Sequence, residues 1–222
     1  MISIVIPVRN EPEMGGVLSH IERLAPCAER IVVDTTSSAP ADDIWRERVR
    51  YLYRPRLATR ADAMNEGAEE ASGDILWFLH SDCRPPEGAC ESIEKAIRRG
   101  ASAGAFLKRY VPESPFLRVQ RRVLDAAARS RKRFLVGTNG FFVRRDLFLE
   151  EGKFPSVPLF EDVLIFDRYR RRVDFELLTT RLQVSSRKYG EGFGLPRIAR
   201  NSLIYLAFRL GVSPHTLIHW YA

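Results

Sequence analysis

The sequence lacks the features that mark several large protein classes. Its three cysteines, Cys27, Cys83 and Cys90, include no C-x-x-C pair and leave an odd count. A disulfide framework or thiolate zinc site is therefore not expected, and a reducing cytoplasm is the expected compartment. No run approaches the roughly 20 apolar residues that a membrane span needs. The opening Met1-Ile2-Ser3-Ile4-Val5-Ile6-Pro7 has no basic region ahead of its apolar stretch, so no secretory signal is expected. Glycine-rich phosphate loops are missing too. No G-x-G-x-x-G follows a strand pattern, and no G-x-x-x-x-G-K-[ST], H-E-x-x-H or G-x-S-x-G occurs. Gly190-Glu191-Gly192-Phe193-Gly194 has the wrong spacing and context for such a loop. Lysine is scarce: only Lys95, Lys108, Lys132, Lys153 and Lys188 among 35 basic residues, so thirty are arginine.

What is present suits a soluble α/β domain. The 222 residues carry a net charge of +7, with 45% hydrophobic and 28% charged residues, an ordinary globular balance for one sizeable domain. Arginine presents a planar fork that matches phosphate oxygens. The excess of positive charge fits nucleotide phosphates, nucleic acid or an anionic membrane as partner.

Strand and helix patterns alternate through the first hundred residues. Strands are expected at Ile2–Pro7, Glu29–Asp34, Val49–Tyr53 and Ile75–Leu79, and helices at Val17–Leu24, Arg60–Ala71 and Glu87–Arg99. Short apolar strands between helices predict a mostly parallel sheet covered on both faces. Beyond Gly100 the pattern predicts strands at Ala103–Tyr110 and Gly140–Arg144 and helices at Phe116–Arg133, Arg145–Glu151 and Val163–Arg172. A helical segment over Ile198–Trp220 is broken at Gly211 and Pro214. In the Phe116–Arg133 helix, Val119, Val123, Leu124 and Ala127 form the apolar side expected to pack on the sheet. A basic helix of this kind also suits an anionic membrane. No repeat or linker divides residues 1–222, which reads as a single domain.

In open α/β sheets, ligands bind beyond the carboxyl ends of the strands. Arg9, Asn10 and Glu11 follow the first strand, Asp34 ends the second, and His80 and Asp82 follow the fourth. With no glycine loop, a bound phosphate must be held by arginines or by a cation. The carboxylate of Asp82 suits Mg²⁺ or Mn²⁺ bridging a diphosphate. His80 reads equally as a neutral imidazole bonded to backbone. Glu161-Asp162 follows a proline-punctuated loop. Two roles stand open for it: negative charge at a helix N-terminus, or a carboxylate that takes a proton from an attacking hydroxyl. Arg187 and Lys188, ahead of Gly190–Gly194, suit either a lid over a diphosphate or a solvated basic loop.

These stretches together resemble inverting family-2 glycosyltransferases with the GT-A fold, in particular a small single-domain bacterial subgroup. The carrying segments are Ile4–Glu11, Ile31–Asp34, Arg60 with Met64–Ala68, Ser72–Asp82, Gly140–Arg145, Pro158–Val163, and the ending Leu210-Gly211-Val212-Ser213-Pro214 with Trp220-Tyr221. The resemblance implies transfer of a sugar from a UDP-, GDP- or dTDP-linked donor to an acceptor hydroxyl with inversion. The acceptor is a sugar, a lipid-linked group or a small molecule. It implies a nucleotide-binding half over 1–100 and an acceptor-side half over 101–222. Pro7, Arg9 and Glu11 are implied to line the nucleotide pocket, Asp34 to bond the base, and Arg60 to lie near the diphosphate; Arg187 joins the nucleotide-binding candidates through the lid reading of its own segment. Asp82 is implied to hold Mg²⁺ or Mn²⁺, Asp162 to act as general base, and Glu161 to orient the acceptor. Nucleic acid is not an expected partner. A peripheral membrane contact at the inner face and a second copy of the chain remain candidates. The alternatives are a sugar nucleotidyltransferase and a non-catalytic nucleotide- or nucleic-acid-binding protein.

Overall fold

Ile2-Ser3-Ile4-Val5-Ile6-Pro7-Val8 forms strand β1 (Ile2–Val8), buried at every position. Such a continuous apolar run, rather than an alternating one, marks a strand covered on both faces. The computed structural model describes residues 1–11, 13–37, 48–130, 139–187 and 195–221. Among these, β2 (Glu29–Asp34), β3 (Arg50–Tyr53), β4 (Ile75–Phe78), β5 (Cys83–Arg84), β6 (Ala103–Val111), β7 (Phe142–Arg144) and β8 (Phe175–Ser185) join β1 in one sheet, in the order β3-β2-β1-β4-β7-β6-β8-β5. Strands β1 to β4 pair in parallel, as do β6 and β8. Strand β7 runs against both β4 and β6, and β5 runs against β8. Because β7 opposes both neighbours, β4 and β6 point the same way. The carboxyl ends of β1, β2, β3, β4, β6 and β8 therefore share one edge.

Period-two alternation splits β1 between two cores. Ile4 and Ile6 pack with Met14, Ile21, Trp77 and Leu182 on one face. Val5 packs with Met64, Phe78, Phe148 and Phe166 on the other. Helices α1 (Met14–Leu24) and α3 (Ala89–Arg98) cover the first face. Helices α2 (Arg60–Glu69), α5 (Arg145–Glu150) and α6 (Glu161–Tyr169) cover the second. Helix α2 lies so close to the sheet that a Cβ at Gly67 would sit 2.5 Å from Val5 Cγ1. Phe78 anchors the second core edge-on to Phe154, with ring centroids 4.8 Å apart.

Three differences from the sequence pattern matter for the site. First, β5 and the 11-residue β8 were not expected. In β8 the buried Leu178, Leu182 and Val184 keep one face, but a bulge that leaves Thr179 and Thr180 exposed interrupts the apolar run: Phe106 pairs with Leu178, but Leu107 pairs with Arg181. Second, α6 starts at Glu161 rather than Val163, so Glu161 and Asp162 form its first turn, behind Phe160 in left-handed backbone (φ 66). Third, α4 (Pro115–Arg129) is turned differently from expectation. It buries Leu117 and Ala128, while Val119 is 57% and Val123 63% exposed. Residues 131–133 of the expected helix lie outside the described residues. The C-terminal helical segment is divided into α7 (Leu195–Arg209) and α8 (Pro214–Tyr221), with Gly211 at φ 98 between them. No helix among the described residues is long and apolar enough to cross a membrane.

Candidate active site

The shared sheet edge collects the candidate residues. After β1 the chain turns through Asn10 in left-handed backbone (φ 53), and its N–H donates to Thr36 Oγ1 at 3.0 Å. That bond ties the turn after β1 to the turn after β2. Asp34 is buried at the end of β2. Its Oδ1 accepts from the Thr36 N–H at 2.8 Å and its Oδ2 from Tyr51 Oη at 2.7 Å. The carboxylate is thus fixed in orientation, with lone pairs left over for a ligand donor. Pro7 sits inside β1, paired with Val33 and buried, so its ring belongs to the wall behind the edge. Arg9 is exposed at the rim.

Glu11 joins three elements. It accepts from Ser81 Oγ at 3.2 Å, from the Glu13 N–H at 3.2 Å, and from Arg187 Nη2 on both carboxylate oxygens. Arg187 also reaches Glu13 at 3.5 Å. Burial alone would raise the Glu11 carboxyl; Arg187, the Glu13 amide and Ser81 together outweigh it and hold Glu11 below the usual glutamate range. Arg187 arrives there because β8 is stitched to the site. The Ser185 N–H donates to the Asp82 carbonyl at 3.0 Å, and the Ser186 N–H to the Val111 carbonyl at 3.1 Å. Lys188 and Gly190–Gly194, the rest of the expected lid, lie outside the described residues.

Arg60 is the electrostatic centre. It opens α2 behind a capping box in which Thr59 Oγ1 accepts from the Asp62 N–H and the Asp62 carboxylate accepts from the Thr59 N–H. Its Nε donates to Glu161 Oε1 at 2.6 Å, and Nη1 lies 3.4 Å from His80 Nδ1. Desolvation works against the Arg60 charge, but attraction from Glu161, Asp162 and Asp82 outweighs it. One guanidinium thus gathers carboxylates from the α6 N-terminus and from the turn after β4. Asp82 and Asp162 both lie within electrostatic reach of this cation.

The two adjacent carboxylates differ. Glu161 is 1% exposed and engaged by Arg60, whose side chain is 46% exposed. Burial pushes the Glu161 carboxyl above its usual value, and Asp162 adds to the rise against the pull of Arg60. Asp162 is 8% exposed, and its Oδ1 accepts from the Val163 N–H at 2.8 Å, across the helix N-terminus. Cys83 donates its thiol to Asp82 Oδ1 at 3.6 Å. Burial, reinforced by Asp82, pushes that thiol well above its ordinary range, which keeps it protonated.

Among the described residues no three His, Cys, Asp or Glu side chains converge as a metal cage. The donor set at Asp82 fits a cation that arrives with substrate phosphates. Mg²⁺ is commonly held by one or two carboxylates plus phosphate oxygens and water. A pocket of about 150 Å³ opens beside Asp82, lined by Glu13, Val17, Arg84, Val111 and Gln183 to Ser185. It is smaller than the roughly 300–1,000 Å³ of typical ligand sites. Sequence reasoning missed Tyr51, Thr36 and Ser81, which hold the carboxylates in place. Tyr51 and Ser81 act through ordinary hydroxyls and Thr36 through its backbone N–H, roles that appear only when the turns are brought together.

The profile of glycosyl transferase family 2 matches residues 3–149. The chain belongs to glycosyl transferase family 2. A 43-residue segment is 46% identical to uncharacterized glycosyltransferases of Mycobacterium tuberculosis, from strains CDC 1551 / Oshkosh and ATCC 25618 / H37Rv. That segment spans 18% of this chain and 16% of those relatives. Among solved structures, S. aureus TarS residues 1–349 in complex with UDP-GlcNAc matches with a TM-score of 0.63 at 14% identity, covering 100% of this chain and 70% of that one. The same TarS fragment with UDP matches equally well at 13% identity and 69% coverage. The family-2 fold implied by the sequence, a GT-A-like sheet flanked by helices, is the fold observed.

Proposed function

We propose that the protein transfers a sugar from a nucleoside diphosphate sugar to an acceptor hydroxyl, inverting the anomeric carbon with the help of a divalent cation. The observation that carries this proposal is Arg60 at the carboxyl edge of the sheet, bonded to Glu161 next to Asp162 and 3.4 Å from His80, two residues before Asp82. Family membership supports it, and the TarS complexes make a uridine diphosphate sugar the first donor to test. Asp34, oriented by Tyr51 and Thr36, bonds the base. Arg9 and Glu11 border the nucleotide, with Pro7 as the wall behind. Arg60 and Arg187 face the diphosphate.

Asp82, together with the donor's phosphates, would hold Mg²⁺ or Mn²⁺; such an ion neutralises charge on the departing diphosphate. Asp162 takes the proton from the acceptor hydroxyl as its oxygen attacks the anomeric carbon from the face opposite the diphosphate. One displacement needs one base and no enzyme nucleophile. Glu161 acts through Arg60: buried and engaged, it fixes the guanidinium rather than touching the acceptor. Holding both substrates in line removes up to roughly 7–11 kcal/mol of barrier in the most favourable intramolecular cases.

A thermal-shift screen of UDP-, GDP- and dTDP-sugars with and without Mn²⁺ tests the proposal, since a ligand that binds the native state raises Tm by mass action. One nucleotide class should stabilise the protein in a Mn²⁺-dependent manner. No shift with any of them contradicts the proposal. With a responsive donor in hand, Asp162→Asn should lower nucleoside diphosphate release by about 10²–10⁴-fold, the usual worth of a general base. Near-normal release from that variant removes Asp162 from its role.

A further inference from the structure

Helix α4 buries Leu117 and Ala128 yet carries a second apolar stripe facing water. A surface helix normally buries its apolar stripe and exposes its charges. Beside the buried residues, an ion network also faces inward. Arg121 donates to Glu113 at 2.7 Å and lies 3.4 Å from Asp125, and Arg181 of β8 donates to the same Asp125 at 2.7 Å. Outward, the helical period places Val119, Val123 and Ala126 in one exposed stripe. Arg122 and Arg129 flank that stripe, exposed and without an ion pair among the described residues. Arg118, on the same flank, bridges to Glu113 at 3.3 Å.

We propose that the outward face of α4 docks on an anionic lipid surface. Val119, Val123 and Ala126 enter the boundary between headgroups and acyl chains, and Arg122 and Arg129 meet lipid phosphates. An exposed apolar stripe bordered by arginines without ion-pair partners is the pattern of a helix that lies at a lipid interface. Charge complementarity selects this occupant over a second copy of the chain, which would set arginine rows against each other. Nucleic acid would engage the arginines but leave the valines in water. Helix α4 begins four residues after Val111, the exposed last residue of β6, which lines the pocket beside Asp82. A lipid-borne acceptor follows from this placement, a consequence that rests on the sugar-transfer proposal.

Co-flotation of the full chain with phosphatidylcholine vesicles, with and without phosphatidylglycerol, tests the surface. Binding should require the anionic lipid. It should fall about thirtyfold or more in R122E/R129E, at about fivefold per arginine. It should also be lost in V119N/V123N, which keeps the charge. Both variants lie on the exposed face, and their melting by circular dichroism should match the parent. The proposal is overturned by any of four results: no co-flotation; V119N/V123N that binds like the parent; loss of binding only on substituting the exposed Leu203, Leu206 and Leu210 in and just after α7; or a dimer in sedimentation that V119N/V123N dissolves. Flotation reads binding alone, so its failure and the failure of sugar transfer are separate results.

Discussion

Arg60 shows how one side chain can organise a site. Removing it leaves the buried Glu161 carboxylate without its counter-charge. Arg60→Ala should cost about 2 kcal/mol or more in stability, the scale for stranding a buried charged acceptor. The pH dependence has a defined sign. The folded-state pKa of Glu161 is raised above its unfolded value of about 4.5. The native state therefore holds a proton that the unfolded state has released, and stability falls as pH rises through that window. Without Arg60 the window extends upward, so the deficit of Arg60→Ala in urea unfolding should be larger at pH 8 than at pH 5. Equal deficits would mean that the pair contributes little. These residues were legible to different degrees. Asp34, Asp82 and Asp162 stand out because each carboxylate follows a strand or opens a helix, whereas the clamping of Glu161 by Arg60 joins positions 101 residues apart and has no local pattern.

The elements explain why the site's far wall was hidden. Strand β8 carries Ser185 and Arg187 to the edge, yet its bulge sets the exposed Thr179 and Thr180 in the middle of the apolar pattern by which a strand is recognised. Its seat depends on a close approach. A Cβ at Gly104 of β6 would lie 2.3 Å from the Glu176 carbonyl of β8 and 2.3 Å from Phe142 Cζ. Gly104→Ala must part β6 from β8 or displace β7. It should cost about 1–3 kcal/mol or more, read as a lower urea midpoint at unchanged slope. It should also weaken nucleotide affinity by shifting Arg187. A midpoint like the parent's would show that the sheet gives way without strain. Helix α4 failed differently. Its helical period is plain in the sequence, but a pattern of valines and arginines does not say which face meets protein; the buried Leu117 and Ala128 and the inward ion network decide it.

At the scale of the molecule, the parallel run β3-β2-β1-β4 was legible because buried strands separated by helices admit few arrangements. The antiparallel insertion of β7 was not, since its direction is set by long-range pairing with β4 and β6. That insertion points β6 and β8 toward the same edge as β1 and β4, which brings Arg187 and Asp82 together. The central claim is that Asp82 and the donor's diphosphate jointly hold the cation, while Asp162 serves only the acceptor. Calorimetric titration of the stabilising nucleotide sugar, with and without Mn²⁺, into the parent, Asp82→Asn and Asp162→Asn tests it most directly. Mn²⁺-dependent affinity should vanish in Asp82→Asn and persist in Asp162→Asn; persistence of that dependence in Asp82→Asn would contradict the account.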